Sequence, residues 1–469
     1  MAADRGGPGT RSGLHAGLNP PRVNHARVAR LALPMTLAHL STPLLGVADA
    51  AIIGRLGQAH LLGAIAAAAM IFNFLFWSFG FLRMGTAGLV AQALGARDGP
   101  EQRAAVLRAL LVAFGLGAMM ILLRAPMGSL CIGALGASPE VSGAARLYFD
   151  IRIWSAPFAL ANYAFAGALV GRGRTDLALA LQIFMNLSNI GLNYFFVYGL
   201  SLGVEGSAAG TLLAELLAAL AGWSILSAIY GNLFSLNRKL VFDRTKIVRM
   251  FSINRDIFVR NTALLCAFMF FYAQGARGGD IIIAANAVLH NLVLLGTFFL
   301  EGITTAAEQL CGQAFGARDP KTFGKAVRVT FLWCFVFAAA FTLAALLLGG
   351  TFIDFLTTNG QVRAYAHDYL AFAAFIPLAG VLAFELDGVF IGAIWTRDMR
   401  NAMVFSLGVY LAAFYLMRPF GTRGLWLSLI VFYLSRGLSQ AWRYRILSAE
   451  SFPLAQSAAA VPIASLSRR

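Results

Sequence analysis

The stretch Gln92-Ala-Leu-Gly-Ala-Arg-Asp98 is repeated as Gln313-Ala-Phe-Gly-Ala-Arg-Asp319, 221 positions later, with one residue changed. Each copy follows one long apolar segment and precedes another. Further matches lie at nearly the same offset: Pro157, Gly167 and Gly171 correspond to Pro377, Gly388 and Gly392, and Thr175-Asp176 corresponds more loosely to Arg397-Asp398. One such heptad could arise by chance, but the whole ordered set indicates two tandem halves.

The composition of the chain is that of a membrane protein. Hydrophobic residues make up 59% of it, charged residues 12%, and the mean hydropathy is +0.72. Soluble domains average about 25% charged residues, so this chain has too little polar surface to fold in water. Apolar runs of roughly 20 residues, enough to cross about 30 Å of hydrocarbon, lie at 28–53, 61–88, 104–124, 143–171, 177–200, 206–230, 256–276, 281–311, 326–349, 364–394, 401–417 and 424–442. The sequence therefore predicts an all-α integral membrane protein with twelve transmembrane helices, in two six-helix lobes related by the internal repeat.

Two of the predicted spans, 143–171 and 364–394, are longer than a simple crossing and contain Pro157 and Pro377. Proline removes an intrahelical hydrogen bond, so we expect kinked or tilted helices there. Duplicated bundles of this kind are common among secondary transporters, which bind their substrate between the two halves.

Both ends of the chain are predicted to be cytoplasmic, in the inner (plasma) membrane. Lys and Arg are concentrated in one set of alternate loops, and cytoplasmic loops carry this excess. The predicted organisation is a disordered cytoplasmic tail at 1–26, a first lobe at 27–230, a cytoplasmic linker at 231–255, a second lobe at 256–446 and a cytoplasmic C-terminal tail at 447–469. We attribute the net charge of +16 to anchoring on membrane lipids and not to nucleic-acid binding.

Enzyme motifs are missing from the sequence. It contains no HExxH, no GxSxG, no phosphate-binding glycine loop and no CxxC, and its four cysteines are expected to be apolar packing residues. We therefore expect no catalytic residue, no bound metal and no cofactor. An intramembrane enzyme stays a distant alternative.

Ionisable side chains inside predicted spans are the best guide to function, because leaving them in hydrocarbon is costly unless they face a partner or a wet cavity. Asp49 lies near the outer end of the first span, and no basic residue lies within one helical turn of it. A carboxylate without a cationic partner readily takes up a proton, so Asp49 is a candidate proton carrier. Alternatively, Asp49 lies near the membrane interface and only caps a local backbone group.

Amide side chains form a stripe on the fifth span. Asn186, Asn189 and Asn193 are spaced i, i+3, i+7 and share one helical face. With Thr211 and Glu215 of the sixth span and Asn162 of the fourth, they predict a polar pocket in the first lobe. The corresponding region of the second half carries Phe270, Tyr410 and Phe414, so we expect ion coupling in the first lobe and an aromatic wall in the second. Alternatively, the polar side chains merely bond helices together.

A second set of acids lies in the other half. Glu301 and Glu308 share a face of the eighth span, and Glu385 and Asp387 lie in the tenth. The available cationic partners are Arg83, Arg152, Arg260 and Arg436. Two interpretations stay open, namely internal ion pairs that fix packing or gate the cavity, and direct contact with substrate. Of these acids we expect Asp387 and Glu301 to lie nearest the cavity.

Several motifs, in order, resemble the multidrug and toxic compound extrusion family, and specifically its DinF branch. They are the segments starting Phe81-Leu-Arg-Met-Gly-Thr, Asn254-Arg-Asp-Ile-Phe-Val-Arg260, Thr305-Ala-Ala-Glu-Gln-Leu, Asp387-Gly-Val-Phe-Ile-Gly and Ser435-Arg-Gly-Leu438. The resemblance covers residues 27–446 and implies a V-shaped cavity between two lobes. It also implies efflux of small amphipathic, often cationic substrates, driven by inward H⁺ or Na⁺ flow.

The resemblance implies that an acid and a proline of the first helix are central to coupling in this branch. These two residues match Asp49 and Pro34. The family's amide and hydroxyl partners match Asn162, Asn189 and Thr211. Better-known members carry a second Asp where this chain has Asn193, which weakens a Na⁺ site and favours a proton-coupled antiporter. A Na⁺-coupled exporter and a lipid-linked oligosaccharide flippase of the same superfamily stay open as alternatives.

Overall fold

The computed structural model describes residues 23–54, 59–134, 136–231, 236 and 238–453, without the side chains of residues 42–45, 47–50, 53 and 59–62. The predicted tails at 1–26 and 447–469 fall mostly outside these ranges, and the domain boundaries stay predictions. The described residues are almost entirely helical.

The helices are α1 (His25–Gly54), α2 (Ala59–Ser78), α3 (Phe81–Gly95), α4 (Gly99–Leu122), α5 (Arg124–Gly133), α6 (Pro139–Arg152), α7 (Ala156–Gly171), α8 (Thr175–Tyr194), α9 (Gly203–Tyr230), α10 (Arg238–Val241), α11 (Arg244–Arg277), α12 (Asp280–Gly316), α13 (Pro320–Leu356), α14 (Gly360–Ala379), α15 (Val381–Ala393), α16 (Thr396–Met417) and α17 (Thr422–Ser451). A π-helical turn, Phe195–Gly199, extends α8. All twelve predicted spans coincide with one of these helices or with a pair of them.

Two spans are broken where proline predicted a kink. The fourth consists of α6, a 3-10 turn over Ile153–Ser155, and α7, with Pro157 in the first turn of α7. The tenth consists of α14, which contains Pro377, and α15, and the break lies at Gly380. Both spans are therefore interrupted within four residues of the proline, where the sequence predicted a kink or tilt. The second span is also broken, between α2 and α3 at Phe79-Gly80, which the sequence analysis missed because Gly occurs throughout the spans without breaking them.

The outer surface of the bundle is apolar. Nine segments of the described chain are long and apolar enough to cross a membrane, and the three predicted spans not among them are α1, α8 and α17, each a long helix. Large apolar side chains such as Leu122, Leu187, Leu347, Phe355 and Leu416 are exposed. Patches of this kind are unfavourable in water but suit lipid tails. The protein is therefore a multi-pass membrane protein.

Buried apolar residues form three clusters that reflect the two lobes. One cluster contains residues only from positions 35–250, and another contains residues only from 263–433. The third draws on both halves, with α1 and α3 packed against α12 and α15. Each half thus has its own core, and the third cluster joins the two lobes.

The repeated heptad joins two helices by the same turn in both halves. Arg97 (φ 57°) and Arg318 (φ 54°) adopt the left-handed conformation, which ends the preceding helix. Asp98 then accepts a hydrogen bond from the Glu101 amide at 2.9 Å, and Asp319 accepts one from the Thr322 amide at 3.0 Å. Each aspartate therefore caps the next helix. Burial opposes ionisation of Asp319, but bonds from Thr322 and nearby amides lower its pKa overall.

The two copies of the heptad also contact each other. A Cβ placed on Gly95 would collide with the backbone carbonyl of Gln313, and a Cβ on Gly316 would collide with that of Gln92. These two contacts are exchanged by the internal repeat, so the heptads meet across a pseudo-twofold axis. The glycines of the heptad are required because the two backbones approach too closely there for any side chain.

Candidate functional site

The amide stripe of α8 is buried and bonded to α9. Asn189 donates to the Thr211 hydroxyl at 3.0 Å, and Asn193 donates to the Asn189 side-chain oxygen at 3.0 Å. Asn186, one turn earlier, receives a bond from Gln182. The structure therefore brings three of the predicted residues, Asn189, Asn193 and Thr211, into one neutral network inside the first lobe.

Glu215 of α9 lies near this network but is paired with a cation. Arg152 of α6 donates to the Glu215 carboxylate at 3.0 Å, and the same guanidinium lies 5.1 Å over the ring centroid of Phe72. Asn162 of α7 donates to the backbone carbonyl of Glu215 at 3.0 Å. From the sequence, Arg152 could be named only as one available cationic partner, because nothing in its neighbouring residues distinguishes it from the other arginines. Its guanidinium neutralises the charge of Glu215, which lies one helical turn after Thr211 on α9.

Helix α1 connects this region to the second lobe. It runs without interruption through Pro34 and packs against both α8 and α12. Asn186 donates to the Ser41 hydroxyl of α1 at 3.0 Å. The backbone of Asp49 lies in the last third of α1, but its side chain is outside the described part of the structure. Its role as proton carrier stays a prediction.

Two contacts between ionisable groups cross from one lobe to the other. Arg83 of α3 and Glu308 of α12 are 3.8 Å apart, and Glu308 is buried. His39 of α1 and Glu301 of α12 are 3.6 Å apart. The sequence predicted Glu301, Glu308 and Arg83 as cavity or gate residues, and the structure places all three at this interface. It adds His39, which the sequence analysis did not single out.

Asp387 lies in a buried ion cluster within the second lobe. The guanidinium groups of Arg260 and Arg436 both donate to one carboxylate oxygen, and Gln440 donates to the other at 2.7 Å. Asp387 is 3% exposed and Arg436 1% exposed. The partners of Asp387 on α15 come from α11 and α17, and its expected position near the cavity stays a prediction.

The aromatic residues expected in the cavity wall are also internal. Tyr410 and Phe414 are buried in the core of the second lobe, where each ring packs edge-to-face against Phe270 at 5.6 and 5.0 Å. An aromatic at these positions packs against neighbouring helices because α16 turns this face toward α11 and α17. The sequence could not show the direction of that face, since both sides of α16 are apolar.

Glu385 of α15 is a further buried acid in the second lobe. The Thr330 hydroxyl donates to it at 2.5 Å and the Cys334 thiol lies 3.5 Å from its other oxygen. No cation pairs with it among the contacts of the described residues. Burying a charged carboxylate is costly without a cation or hydrogen bonds, and Thr330 supplies one such bond. The sequence showed that Glu385 is an acid within a predicted span. It did not show that the partners of Glu385 are neutral residues of α13.

Comparisons with known proteins agree with this architecture. The MatE family model matches residues 34–195 and 257–416, one match in each half. DNA damage-inducible protein F of Escherichia coli strain K12 is 36% identical over 417 residues, which cover 88% of this chain and 91% of that protein. Multidrug resistance protein PmpM of Pseudomonas aeruginosa is 25% identical over 432 residues, covering 87% and 89%.

Solved structures show the same fold. One described as MATE in the straight conformation has a TM-score of 0.82 and 18% identity, covering 91% of this chain and 96% of that one. One described as MATE in the bent conformation also has a TM-score of 0.82, with 19% identity and coverage of 92% and 96%. The chain therefore overlaps equally well with both.

Proposed function

The chain belongs to the MatE family, and from this premise we propose that it is a secondary active antiporter. It exports small amphipathic, often cationic compounds, and inward proton flow through Asp49 drives the export. The family match covers both lobes, and the relatives include proteins named for multidrug resistance. The proposal is placed in the inner membrane with both termini cytoplasmic, as the distribution of Lys and Arg predicts.

The observation that carries proton coupling is the pairing of Glu215 with Arg152 at 3.0 Å. A Na⁺ site needs several oxygen ligands, and anionic ligands strengthen it. Because Glu215 already has a cation, and because Asn189, Asn193 and Thr211 are neutral, Asp49 is the acid left for coupling in the first lobe. A single acid can exchange a proton, but it makes a weak site for a sodium ion.

The position of α1 explains how a proton could change the transporter. Protonation of Asp49 from outside would neutralise it and change its hydrogen bonds with the neighbouring polar side chains. Since α1 packs against α8 in one lobe and α12 in the other, bending near Pro34 would alter both contacts. Substrate held between the lobes would then lose its site and leave.

A comparison of driving ions tests the proposal. In proteoliposomes, an imposed pH gradient should drive efflux of a cationic dye, and a Na⁺ gradient at fixed pH should not. Asn193→Asp adds a carboxylate beside Asn189 and is expected to confer Na⁺ sensitivity. The control is Asn291→Asp on α12, where the residue is exposed. Wild-type efflux that follows Na⁺ at fixed pH would disprove single-acid coupling.

The amide network is expected to matter more for coupling than for substrate affinity. Asn189→Leu removes two buried hydrogen bonds, the one that Asn189 donates to Thr211 and the one that it accepts from Asn193, and each is worth about 0.5–1.5 kcal/mol. We expect proton-driven turnover to fall about tenfold or more, since about 1.4 kcal/mol is a factor of ten, while dye binding to the purified protein stays nearly unchanged. Thr262→Val on α11, whose residue is exposed, is the control. Equal losses in binding and turnover would count against a coupling role.

A further inference from the structure

His39 and Glu301 form a contact between the lobes that the proposed coupling through Asp49 does not use. The imidazole Nδ1 and a carboxylate oxygen are 3.6 Å apart. The His39 ring also stacks on Phe298, one turn before Glu301 on α12, with an interplanar angle of 4°. One turn of α12 therefore holds the imidazole both by its face and by one of its nitrogens.

The backbones of α1 and α12 approach closely beside this pair. A Cβ on Gly302 would collide with the Thr36 side chain and would lie 2.9 Å from the Ala32 carbonyl. Ala32 and Thr36 flank Pro34, the predicted point of bending, and His39 follows one turn later. Any change in the tilt of α1 would therefore change the distance from His39 to Glu301.

The two partners differ in their access to water. The Glu301 side chain is 46% exposed and the His39 side chain is 23% exposed. The second imidazole nitrogen, Nε2, is buried and has no hydrogen-bond partner. The Nδ1 atom therefore faces one acidic oxygen, that of Glu301 at 3.6 Å, and the Glu301 side chain is reached by solvent.

The charged groups around His39 come from two helices. Burial of the ring disfavours an imidazolium most, Glu301 of α12 favours it, and Arg83 of α3 disfavours it, although Arg83 also lies 3.8 Å from Glu308. Helix α8 faces α1 with the neutral Asn186, and its one acidic residue, Asp176, pairs with Arg174. The described side chains of α2 carry no charge, and α13 meets α1 at the Trp333–His25 contact.

Histidine is the side chain whose charge changes between about pH 5 and 8 when its surroundings are neutral. A neutral ring at 3.6 Å makes a weak contact with Glu301, whereas an imidazolium makes a charge-assisted hydrogen bond to it. We propose that His39 and Glu301 form a proton-binding site between the lobes, separate from Asp49, and that its protonation strengthens their contact. His39 precedes Asp49 by ten residues, roughly 15 Å along the helix axis.

The role of this site in transport rests on the proposed proton antiport, but proton binding to it does not. Protonation at His39 would hold α1 against the second lobe near the middle of α1 and α12, where Gly302 lets the two helices approach closely. Deprotonation would remove that restraint. The site therefore couples pH to the contact between lobes.

The direct test is a titration of the six histidines in the purified full chain, with labelled imidazole carbons followed by NMR in detergent micelles. Loss of one signal in His39→Gln assigns His39. In Glu301→Gln, the pH at which half of His39 is protonated should fall by about one unit, a tenfold loss of proton affinity. A His39 signal that does not titrate, or that titrates identically in Glu301→Gln, would overturn the proposal.

Asp354→Asn is the matched control, because Asp354 lies 3.3 Å from His367 at an exposed position. It removes a carboxylate beside a different histidine and should leave the titration of His39 unchanged; a shift of His39 in this variant would overturn the assignment. In proteoliposomes, His39→Gln should shift the acid side of the plot of efflux rate against pH, while a pH gradient still drives efflux. An unchanged plot would show that the site has no role in transport. If wild-type efflux does not depend on the pH gradient but His39 still titrates as expected, proton antiport is refuted and the proton-binding site is not.

Discussion

An Asp49→Asn variant is expected to lose all efflux driven by a pH gradient while staying folded in the membrane. Asparagine has nearly the same shape as aspartate but cannot carry a proton. Glu215, one helical turn after Thr211 on α9, is paired with Arg152 and cannot replace it. The expected activity is that of empty liposomes, measured as dye efflux after a pH jump.

Two controls separate loss of coupling from loss of folding. Asp49→Glu keeps an acid at the same position and should retain part of the gradient-driven efflux. Asp176→Asn removes a half-exposed acid that pairs with Arg174 outside the spans, and should behave as wild type. Full gradient-driven efflux by well-expressed Asp49→Asn would show that the proton is carried elsewhere, and Glu385 and His39 would be the next residues to test.

Asp387→Asn is expected to destabilise the second lobe and not to alter which compounds are exported. It would leave the guanidinium groups of Arg260 and Arg436 buried together without a counter-charge. Removing one partner of a buried ion pair costs about 3–5 kcal/mol, because the remaining charge has lost both water and its partner. The thermal unfolding midpoint of the purified protein in mild detergent should fall sharply, together with the yield of folded protein.

The charge explanation of this loss predicts a rescue. Arg436→Gln combined with Asp387→Asn restores the net charge of the cluster, so the double variant should be more stable than Asp387→Asn alone. Asp176→Asn removes a half-exposed ion pair, which is worth about 1 kcal/mol or less, and should leave the midpoint almost unchanged. A stable Asp387→Asn protein with altered substrate preference would instead support direct contact between Asp387 and substrate.

The spans and the repeat could be predicted from residues alone. Burial in lipid requires continuous apolar stretches, and each of the predicted stretches coincides with described helix. The heptad was recognisable because its Gly95, Arg97 and Asp98 have separate structural tasks that both halves need: close approach, a left-handed turn and a helix cap. Proline likewise marked two of the breaks, whereas the break at Gly80 had no comparable signal.

The pairing of charges depended on tertiary structure. In the sequence, Arg152 and Arg260 were interchangeable candidates for any intramembrane acid, yet one neutralises Glu215 and the other lies in the cluster of Asp387. Such partners are distant along the chain, so their contact depends on how each helix is rotated and which neighbours it meets. A residue's helical face follows from spacing, but what that face touches does not. For the same reason, the meeting of His39 with Glu301 could be seen only once α1 and α12 were packed together.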